Sequence, residues 1–220
     1  MGSQTLKTLW KIIASTTLVC GIISAEGGLS APKTTRPLKV MAFGDSLTAG
    51  YGLTVRDGFV PRLEAALKAE GYNVTIVNAG VSGDTTAGGK ARLDWSLAEK
   101  PDAVLLELGA NDALRGLSPG ASEANLEAML KVLKERKIPV LLIGMKSPPN
   151  LGPEYVTAFE AIYPRLAARY GIPLYPFFLD GVAASSTLNQ PDGIHPNADG
   201  VHEIVRRILP VVAKFLDTVS

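Results

Sequence analysis

The segment Ala103–Leu108, with the sequence AVLLEL, is the stretch that decides the fold class. It is apolar except for one glutamate and shows no polar alternation, which is typical of a strand buried on both faces of a parallel sheet. The polar segment Gly109–Asp112 (GAND) follows it directly. Because ligands bind beyond the carboxyl ends of parallel strands, we expect this polar segment to lie at a functional site.

Apolar strands and amphipathic helices alternate on both sides of this segment. The other predicted strands are 38–43, 73–78, 139–145 and 172–175, and the predicted helices are 59–70, 86–99, 122–137, 154–170 and 198–216. This alternation predicts an α/β protein with a central parallel sheet covered by helices on both faces. The predicted domain covers residues 38–220, and residues 26–37, rich in Gly, Ser, Pro and Thr, form a predicted linker.

The first 25 residues differ in character from the rest of the chain. Lys7 and Lys11 precede an apolar run at 12–24, which ends in the small residues Ser24 and Ala25. This pattern predicts a secretory signal at residues 1–25, and the run is too short to cross a bilayer as a helix. We expect a periplasmic or secreted protein with no stable membrane insertion after cleavage. An uncleaved anchor and a disordered tail are the alternatives.

Charge and cysteine content exclude several classes of function. Lys and Arg number 22 and Asp and Glu number 21, and no basic stretch stands out, so nucleic acid is not an expected partner. The chain has one cysteine, Cys20, inside the predicted signal. The mature chain would therefore have no disulfide, no catalytic cysteine and no cysteine-based zinc site.

A serine that follows a predicted strand and a histidine that precedes the last predicted helix suggest nucleophilic catalysis. Ser46 lies in the segment Gly44–Leu47 (GDSL), and a serine hydroxyl needs a base to take its proton. His195 lies three residues after Asp192 in a loop rich in Pro and Gly, where the carboxylate could orient the imidazole. Helix capping by Ser46 and an Asx turn at Asp192 remain as structural alternatives.

Acyl transfer also requires hydrogen-bond donors for a developing oxyanion. Candidates are the backbone N–H of Ser46, the backbone N–H of Gly80 and the side-chain amide of Asn111, all after predicted strands. Gly80 could instead serve a turn that needs a positive φ, and Asn111 a local Asx turn. The coincidence of nucleophile, base, orienting acid and donors at strand ends favours the functional interpretation.

Four blocks of this sequence resemble the SGNH, or GDSL, hydrolase family. The blocks are Gly44–Leu47, Gly80, Gly109–Asp112 and Asp192–Pro196, and the letters of the name fall on Ser46, Gly80, Asn111 and His195. Within the family, the stretches 107–116 and 161–164 look like the bacterial branch of arylesterases, acyl-CoA thioesterases I and lysophospholipases. Ala110 departs from the pattern, because many relatives of this branch carry glycine there.

The resemblance implies a fold, a mechanism and a set of site residues. The fold is a flavodoxin-like three-layer α/β/α sandwich with a central parallel sheet. Ser46 is the implied nucleophile, His195 the base and Asp192 its orienting acid. The implied oxyanion hole consists of Ser46, Gly80 and Asn111. No metal and no organic cofactor are expected, and the partner is a small-molecule acyl ester or thioester bound by a monomer.

The segment 146–153, rich in Pro and Gly, is the predicted wall of an acyl groove. The predicted apolar substrate contacts are Met145, Pro148, Leu151 and Tyr155. A second wall is expected from residues 85–89 and 114–117. Packing of these residues within their own loops is the alternative.

Three functions remain open at this level. The leading hypothesis is an esterase and thioesterase of broad acyl tolerance, with lysophospholipase-like activity, that forms an acyl-enzyme intermediate. The second keeps this chemistry but acts on acetylated carbohydrate. The third is a flavodoxin-like binding module without enzymatic activity.

Overall fold

Five parallel strands form one sheet in the order β2-β1-β3-β4-β5. The computed structural model describes residues 36–219. The strands are β1 (Leu38–Gly44), β2 (Val74–Gly80), β3 (Ala103–Glu107), β4 (Val140–Ile143) and β5 (Leu174–Tyr175). The chain runs from β1 outward to β2 and then back past β1 to β3. This is the flavodoxin-like order, and its reversal point lies between β1 and β3, where such folds bind ligands.

Helices cover the sheet in two groups, and the predicted three-layer α/β/α architecture is confirmed. The helices are α1 (Ser46–Ala49), α2 (Phe59–Ala69), α3 (Thr86–Ser96), α4 (Ala110–Leu114), α5 (Pro119–Glu135), α6 (Pro153–Glu160), α7 (Ile162–Tyr170) and α8 (Ala198–Leu216). Helices α2 and α8 pack against each other, whereas α5 contacts α3, α6 and α7. Right-handed crossovers place these two groups on opposite faces of the sheet.

The central strands are buried on both faces, as the sequence predicted. Every residue of β3 and β4 is buried. On one face the buried side chains of Leu63 and Leu67 in α2 face the core, and Ile204, Ile208 and Val212 in α8 recur at four-residue spacing. That spacing places the three α8 side chains on one stripe, which packs against the core while the opposite stripe meets solvent.

Several predicted boundaries differ from the structure. The helix predicted at 154–170 is wrong as a single element, because α6 ends at Glu160 and α7 begins at Ile162. Pro164 explains the break: it has no N–H for a helical bond to Glu160, and its ring clashes with that carbonyl. The helix predicted from 122 begins earlier, at Pro119, since proline is favoured in a first helical turn.

The predicted signal at 1–25 and all but the last two residues of the predicted linker lie outside the described residues, so these boundaries stay predictions. From residue 36 to residue 219, no helix is both long and apolar enough to cross a membrane.

Candidate active site

Ser46 lies at the carboxyl end of β1, at the start of helix α1. Asp45 is the N-cap residue of this helix, and its Oδ1 accepts a hydrogen bond from the Leu47 N–H at 3.0 Å. Asp45 rather than Ser46 therefore caps this helix, and the capping alternative for Ser46 is wrong. The Ser46 hydroxyl is left available for another contact.

Ser46, His195 and Asp192 form one continuous chain of hydrogen bonds. His195 Nε2 lies 2.9 Å from Ser46 Oγ, and His195 Nδ1 lies 2.7 Å from Asp192 Oδ2. Hydrogen bonds from the His195 N–H and the His195 ring lower the pKa of Asp192 to about 2. An ionised carboxylate can only accept, so Nδ1 carries the proton and Nε2 accepts from the Ser46 hydroxyl.

Hydrogen bonds within the loop and contacts to Tyr51 hold the loop that carries His195 in place. Asp192 Oδ1 accepts from the N–H groups of Ile194 and His195, each at 3.0 Å. Gln190 donates from its side chain to the Tyr51 carbonyl at 2.7 Å, and the Tyr51 ring lies 4.5 Å from the imidazole centroid. Tyr51 was missed by the sequence analysis, because nothing in the pattern around it indicates this contact.

Two of the predicted oxyanion donors, the Ser46 N–H and the Asn111 amide, belong to residues that line one cavity. Asn111, in helix α4, lines the same cavity as Ser46 and His195. Its amide donates to Asp45 Oδ2 at 3.3 Å, which leaves its second N–H available. The Ser46 N–H makes no hydrogen bond within the part of the chain that the structure describes.

Gly80, the third predicted oxyanion donor, is the last residue of β2, and its N–H makes a local hydrogen bond. That N–H donates to Asn78 Oδ1 at 3.0 Å. A Cβ atom at Gly80 would collide with the backbone nitrogen of Ala49, so glycine is required here by the close approach of β2 to α1. The same close approach places the Gly80 backbone against α1, the helix that begins at Ser46, and its role as an oxyanion donor stays a prediction.

The turn that follows β2 is fixed by hydrogen bonds to neighbouring segments. Val81 N–H donates to the Gly44 carbonyl at 3.0 Å, which ties this turn to the end of β1. Gly83 has a φ of 82°, and its carbonyl accepts from Arg115 at 2.9 Å. Among the described residues, neither Ser82 nor Gly83 uses its N–H in a hydrogen bond.

Buried charged and polar groups tie the strand ends together beneath the site. Burial raises the pKa of Asp45 to about 6, against the hydrogen bonds from Leu47 and Asn111 that lower it. Arg92 donates to the Gly44 carbonyl at 2.8 Å, to the Ala79 carbonyl at 2.9 Å and to Asp84 at 2.6 Å. A single guanidinium therefore connects the ends of β1 and β2.

Asp112 connects neighbouring elements at the end of β3, as Arg92 does at the ends of β1 and β2. Its carboxylate is buried and accepts from the Thr86 N–H at 2.8 Å and from the Ser122 hydroxyl at 2.9 Å. Helices α3 and α5 are thereby joined to the segment that carries Asn111.

An apolar cavity of about 350 Å³ opens beside Ser46 and His195. Of the four predicted substrate contacts, Met145 and Pro148 line it, and Leu151 and Tyr155 do not. The Tyr155 hydroxyl donates to the Leu117 carbonyl at 2.7 Å, and its ring stacks on Phe159. Loop packing, the alternative considered for these side chains, is therefore correct for Tyr155.

The second wall of the cavity differs from the prediction. Of the predicted segments 85–89 and 114–117, only Leu114 lines the cavity. The wall comes instead from the region between β5 and α8, through Phe177, Leu179, Ala183, Ala184, Asn189, Gly193 and Ile194. That region has no helical or strand periodicity, so its position could not be read from the sequence.

From residue 36 to residue 219, no group of three or more His, Cys, Asp and Glu side chains is placed to hold a metal ion.

Fold and geometry together define a class: flavodoxin-like α/β proteins that carry a hydrogen-bonded Ser-His-Asp chain beyond the end of β1. Residues 42–202 match the model of the GDSL-like lipase/acylhydrolase family. The chain belongs to this family, and the resemblance noted in its sequence blocks is confirmed.

Relatives of known activity agree with this assignment. The chain is 42% identical to Esterase TesA of Pseudomonas aeruginosa over 178 residues, which cover 80% of this chain and 89% of the relative. It is 40% identical to thioesterase 1/protease 1/lysophospholipase L1 of Escherichia coli K12 over 161 residues, 73% of this chain and 76% of the relative. The chain is an ester hydrolase of this family.

Solved structures show the same fold. The crystal structure of TesA matches with a TM-score of 0.77 and 41% identity, covering 80% of this chain and 99% of that one. AlinE4, an SGNH-hydrolase family esterase, matches with a TM-score of 0.70 and 48% identity, covering 82% and 97%.

Proposed function

We propose that this protein hydrolyses acyl esters and thioesters through an acyl-enzyme formed on Ser46. The observation that carries the proposal is the continuous chain from the Ser46 hydroxyl through His195 to Asp192, which opens into an apolar cavity. The names of the relatives, which include esterase, arylesterase and thioesterase, support the same chemistry.

The reaction proceeds in two halves on these groups. Ser46 Oγ attacks the acyl carbon while His195 Nε2 takes its proton, and Asp192 stabilises the imidazolium that results. The tetrahedral intermediate collapses, the bond to the alcohol or thiol breaks, and His195 returns the proton to the leaving group. Water then attacks the acyl-enzyme with His195 as base, which releases the carboxylic acid and restores the Ser46 hydroxyl.

The oxyanion of the tetrahedral intermediate needs donors that are already in place. We assign this role to the Ser46 N–H, the Gly80 N–H and the second N–H of the Asn111 amide. In this assignment the Gly80 N–H exchanges its hydrogen bond to Asn78 Oδ1 for one to the oxyanion.

The cavity favours an acyl chain of several carbons. Its apolar lining includes Leu47, Met145, Phe177 and Leu179. Each methylene buried there contributes about 0.8 kcal/mol, so medium and long acyl groups gain binding free energy that acetyl cannot. Activity on nitrophenyl esters should therefore rise from C2 towards C8 to C12, and activity confined to acetyl would contradict this substrate class.

A fluorophosphonate probe tests the nucleophile. Wild-type protein should be labelled in proportion to its loss of esterase activity, and Ser46→Ala should abolish both labelling and hydrolysis. Ser186→Ala, which removes an exposed hydroxyl elsewhere, is the matched control and should behave like wild type. Labelling that persists in Ser46→Ala would show that another residue is the nucleophile.

We further propose that the protein acts outside the cytoplasm, on the strength of the signal-like pattern at residues 1–25. Mass spectrometry of the protein recovered from a periplasmic extract should show loss of this segment. Full-length protein confined to the cytoplasmic fraction would contradict the proposal.

A further inference from the structure

Glu107, the last residue of β3, lies directly beneath the turn that carries Ser46. Its side chain is 1% exposed, and its Oε2 accepts from the Thr48 hydroxyl at 2.8 Å and from the Asp45 N–H at 3.5 Å. A Cβ atom on Gly44 would come within 2.5 Å of the same oxygen. The turn from Gly44 to Thr48 therefore packs on this carboxyl group with no intervening side chain.

The surroundings of Glu107 contain no compensating positive charge. Within the described residues it makes no ion pair, and its Oε1 is buried without a hydrogen-bond partner. The ionisable groups that face it are Asp45, on the turn, and Tyr163, on α7. Both groups are either neutral or negatively charged, so neither can neutralise a negative charge on Glu107.

Two adjacent buried carboxyl groups cannot both carry a charge at low cost. Asp45 accepts hydrogen bonds from Leu47 and Asn111, whereas one oxygen of Glu107 accepts none. Asp45 is therefore the better site for the negative charge. Burial, and next the charge of Asp45, raise the pKa of Glu107 well above its ordinary value.

We propose that Glu107 is a positioning residue that works as a neutral acid and holds Ser46 in its reactive position through Thr48 and the Asp45 backbone. It touches neither Ser46 nor His195 and acts only through these two contacts. The proposal rests on the proposed function, in which Ser46 is the nucleophile, and adds a residue that the sequence blocks do not include.

Two substitutions at Glu107 separate its hydrogen bonds from its charge. Glu107→Gln keeps an acceptor for Thr48 and Asp45 without any possibility of ionisation, and its kcat should stay within about threefold of wild type. Glu107→Met fills a similar volume without an acceptor. Loss of a buried hydrogen bond should lower its kcat by about 10- to 100-fold, with KM changed by less than about twofold.

Thr48→Val removes the donor to Glu107 from the other side and keeps the shape of the side chain. It should reproduce the direction of the Glu107→Met effect on kcat, and it serves as the test if Glu107→Met does not fold. Ser96→Ala is the matched control, because Ser96 is also a buried polar side chain whose oxygen has no partner, but on α3. Its kcat should equal that of wild type.

The rate of fluorophosphonate labelling and the midpoint of thermal unfolding are also measured for wild type and for each variant. Equal loss of kcat in Glu107→Gln and Glu107→Met would overturn the neutral-acid proposal, since it would show that a charged carboxylate is needed. Unchanged kcat in both, with only a lowered midpoint, would reduce Glu107 to a folding role and also overturn it. Labelling of wild type tests the proposed function separately, and the ratio of variant to wild type tests Glu107.

Discussion

At the scale of single residues, the pKa values of two aspartates near the site are shifted in opposite directions. Asp192 accepts from the His195 backbone and ring, which lowers its pKa to about 2, whereas burial raises the pKa of Asp45 to about 6. The different surroundings of Asp192 and Asp45 therefore give these two aspartates different roles. Asp192 is ionised at any pH well above 2, so it can orient the histidine throughout the neutral range, and Asp45 caps the helix of the nucleophile.

Asp192→Asn should lower kcat by roughly 10²- to 10⁴-fold, with the thermal midpoint and KM nearly unchanged. An amide at this position no longer selects the tautomer with a proton on Nδ1, and it does not stabilise the imidazolium. Steady-state kinetics on a nitrophenyl ester measures the effect. Asp199→Asn, an exposed aspartate in the first turn of α8, is the control and should retain wild-type kcat. A kcat within threefold of wild type for Asp192→Asn would remove Asp192 from the mechanism.

At the scale of elements, two short helices bring the site together. Helices α1 and α4 begin two and three residues after the adjacent strands β1 and β3, and they carry Ser46 and Asn111. Neither helix was predicted, because four or five residues are too few to show helical periodicity. Both residues could nevertheless be placed at the carboxyl edge of the sheet, since the apolar strands before them are clear in the sequence.

The region between β5 and α8 forms one wall of the cavity, also at the scale of elements. Ala183 lines it, and Ala183→Phe should reduce the space for an acyl chain. Loss of burial for three or four methylenes corresponds to roughly 2–3 kcal/mol, or about 30- to 150-fold in kcat/KM on C8 to C12 esters, with acetyl esters little affected.

Ser186→Phe provides the comparison for this prediction, because Ser186 is exposed in the same region and does not line the cavity. Its chain-length profile should match that of wild type. If Ala183→Phe lowers activity equally on all chain lengths, the cavity does not hold the acyl chain.

At the scale of the whole molecule, the loop that carries His195 leads directly into helix α8. Asn197 caps α8 by accepting from the N–H groups of Asp199 and Gly200 at 3.0 Å. Helix α8 packs in turn on α2, which is separated from the end of α1 by nine residues. His195 is therefore anchored to α8, and Ser46, at the start of α1, is anchored to α2. Because α2 and α8 pack on each other, the base and the nucleophile rest on the same part of the core.

Ile208→Ala, in the buried stripe of α8, should lower the free energy of unfolding by about 2–5 kcal/mol. The unfolding transition in urea should remain a single step, because one core joins the site to the rest of the described domain. At 25 °C the kcat of the folded protein should not change. Lys214→Ala, an exposed position of the same helix, is the control and should alter stability by less than about 0.5 kcal/mol. Two separate transitions would contradict a common core.

What the sequence alone determined was the order of buried strands and the positions of the polar blocks after them. Apolar runs such as 103–108 are local signals, and strand ends in a parallel sheet share one edge, so Ser46 and Asn111 could be placed near each other. His195 and Asp192 could be chosen because the chain has two histidines and only one precedes the last helix by so short a distance.

Only the tertiary structure decided which groups are free, which are engaged and which are buried together. The Gly80 N–H is bonded within its own strand, Tyr155 faces a carbonyl rather than the cavity, and Tyr51 packs on the His195 ring. Glu107 reads as an ordinary strand residue until its position beneath Gly44 is known. Contacts across many residues of chain depend on packing in three dimensions, and no local pattern in the sequence encodes them.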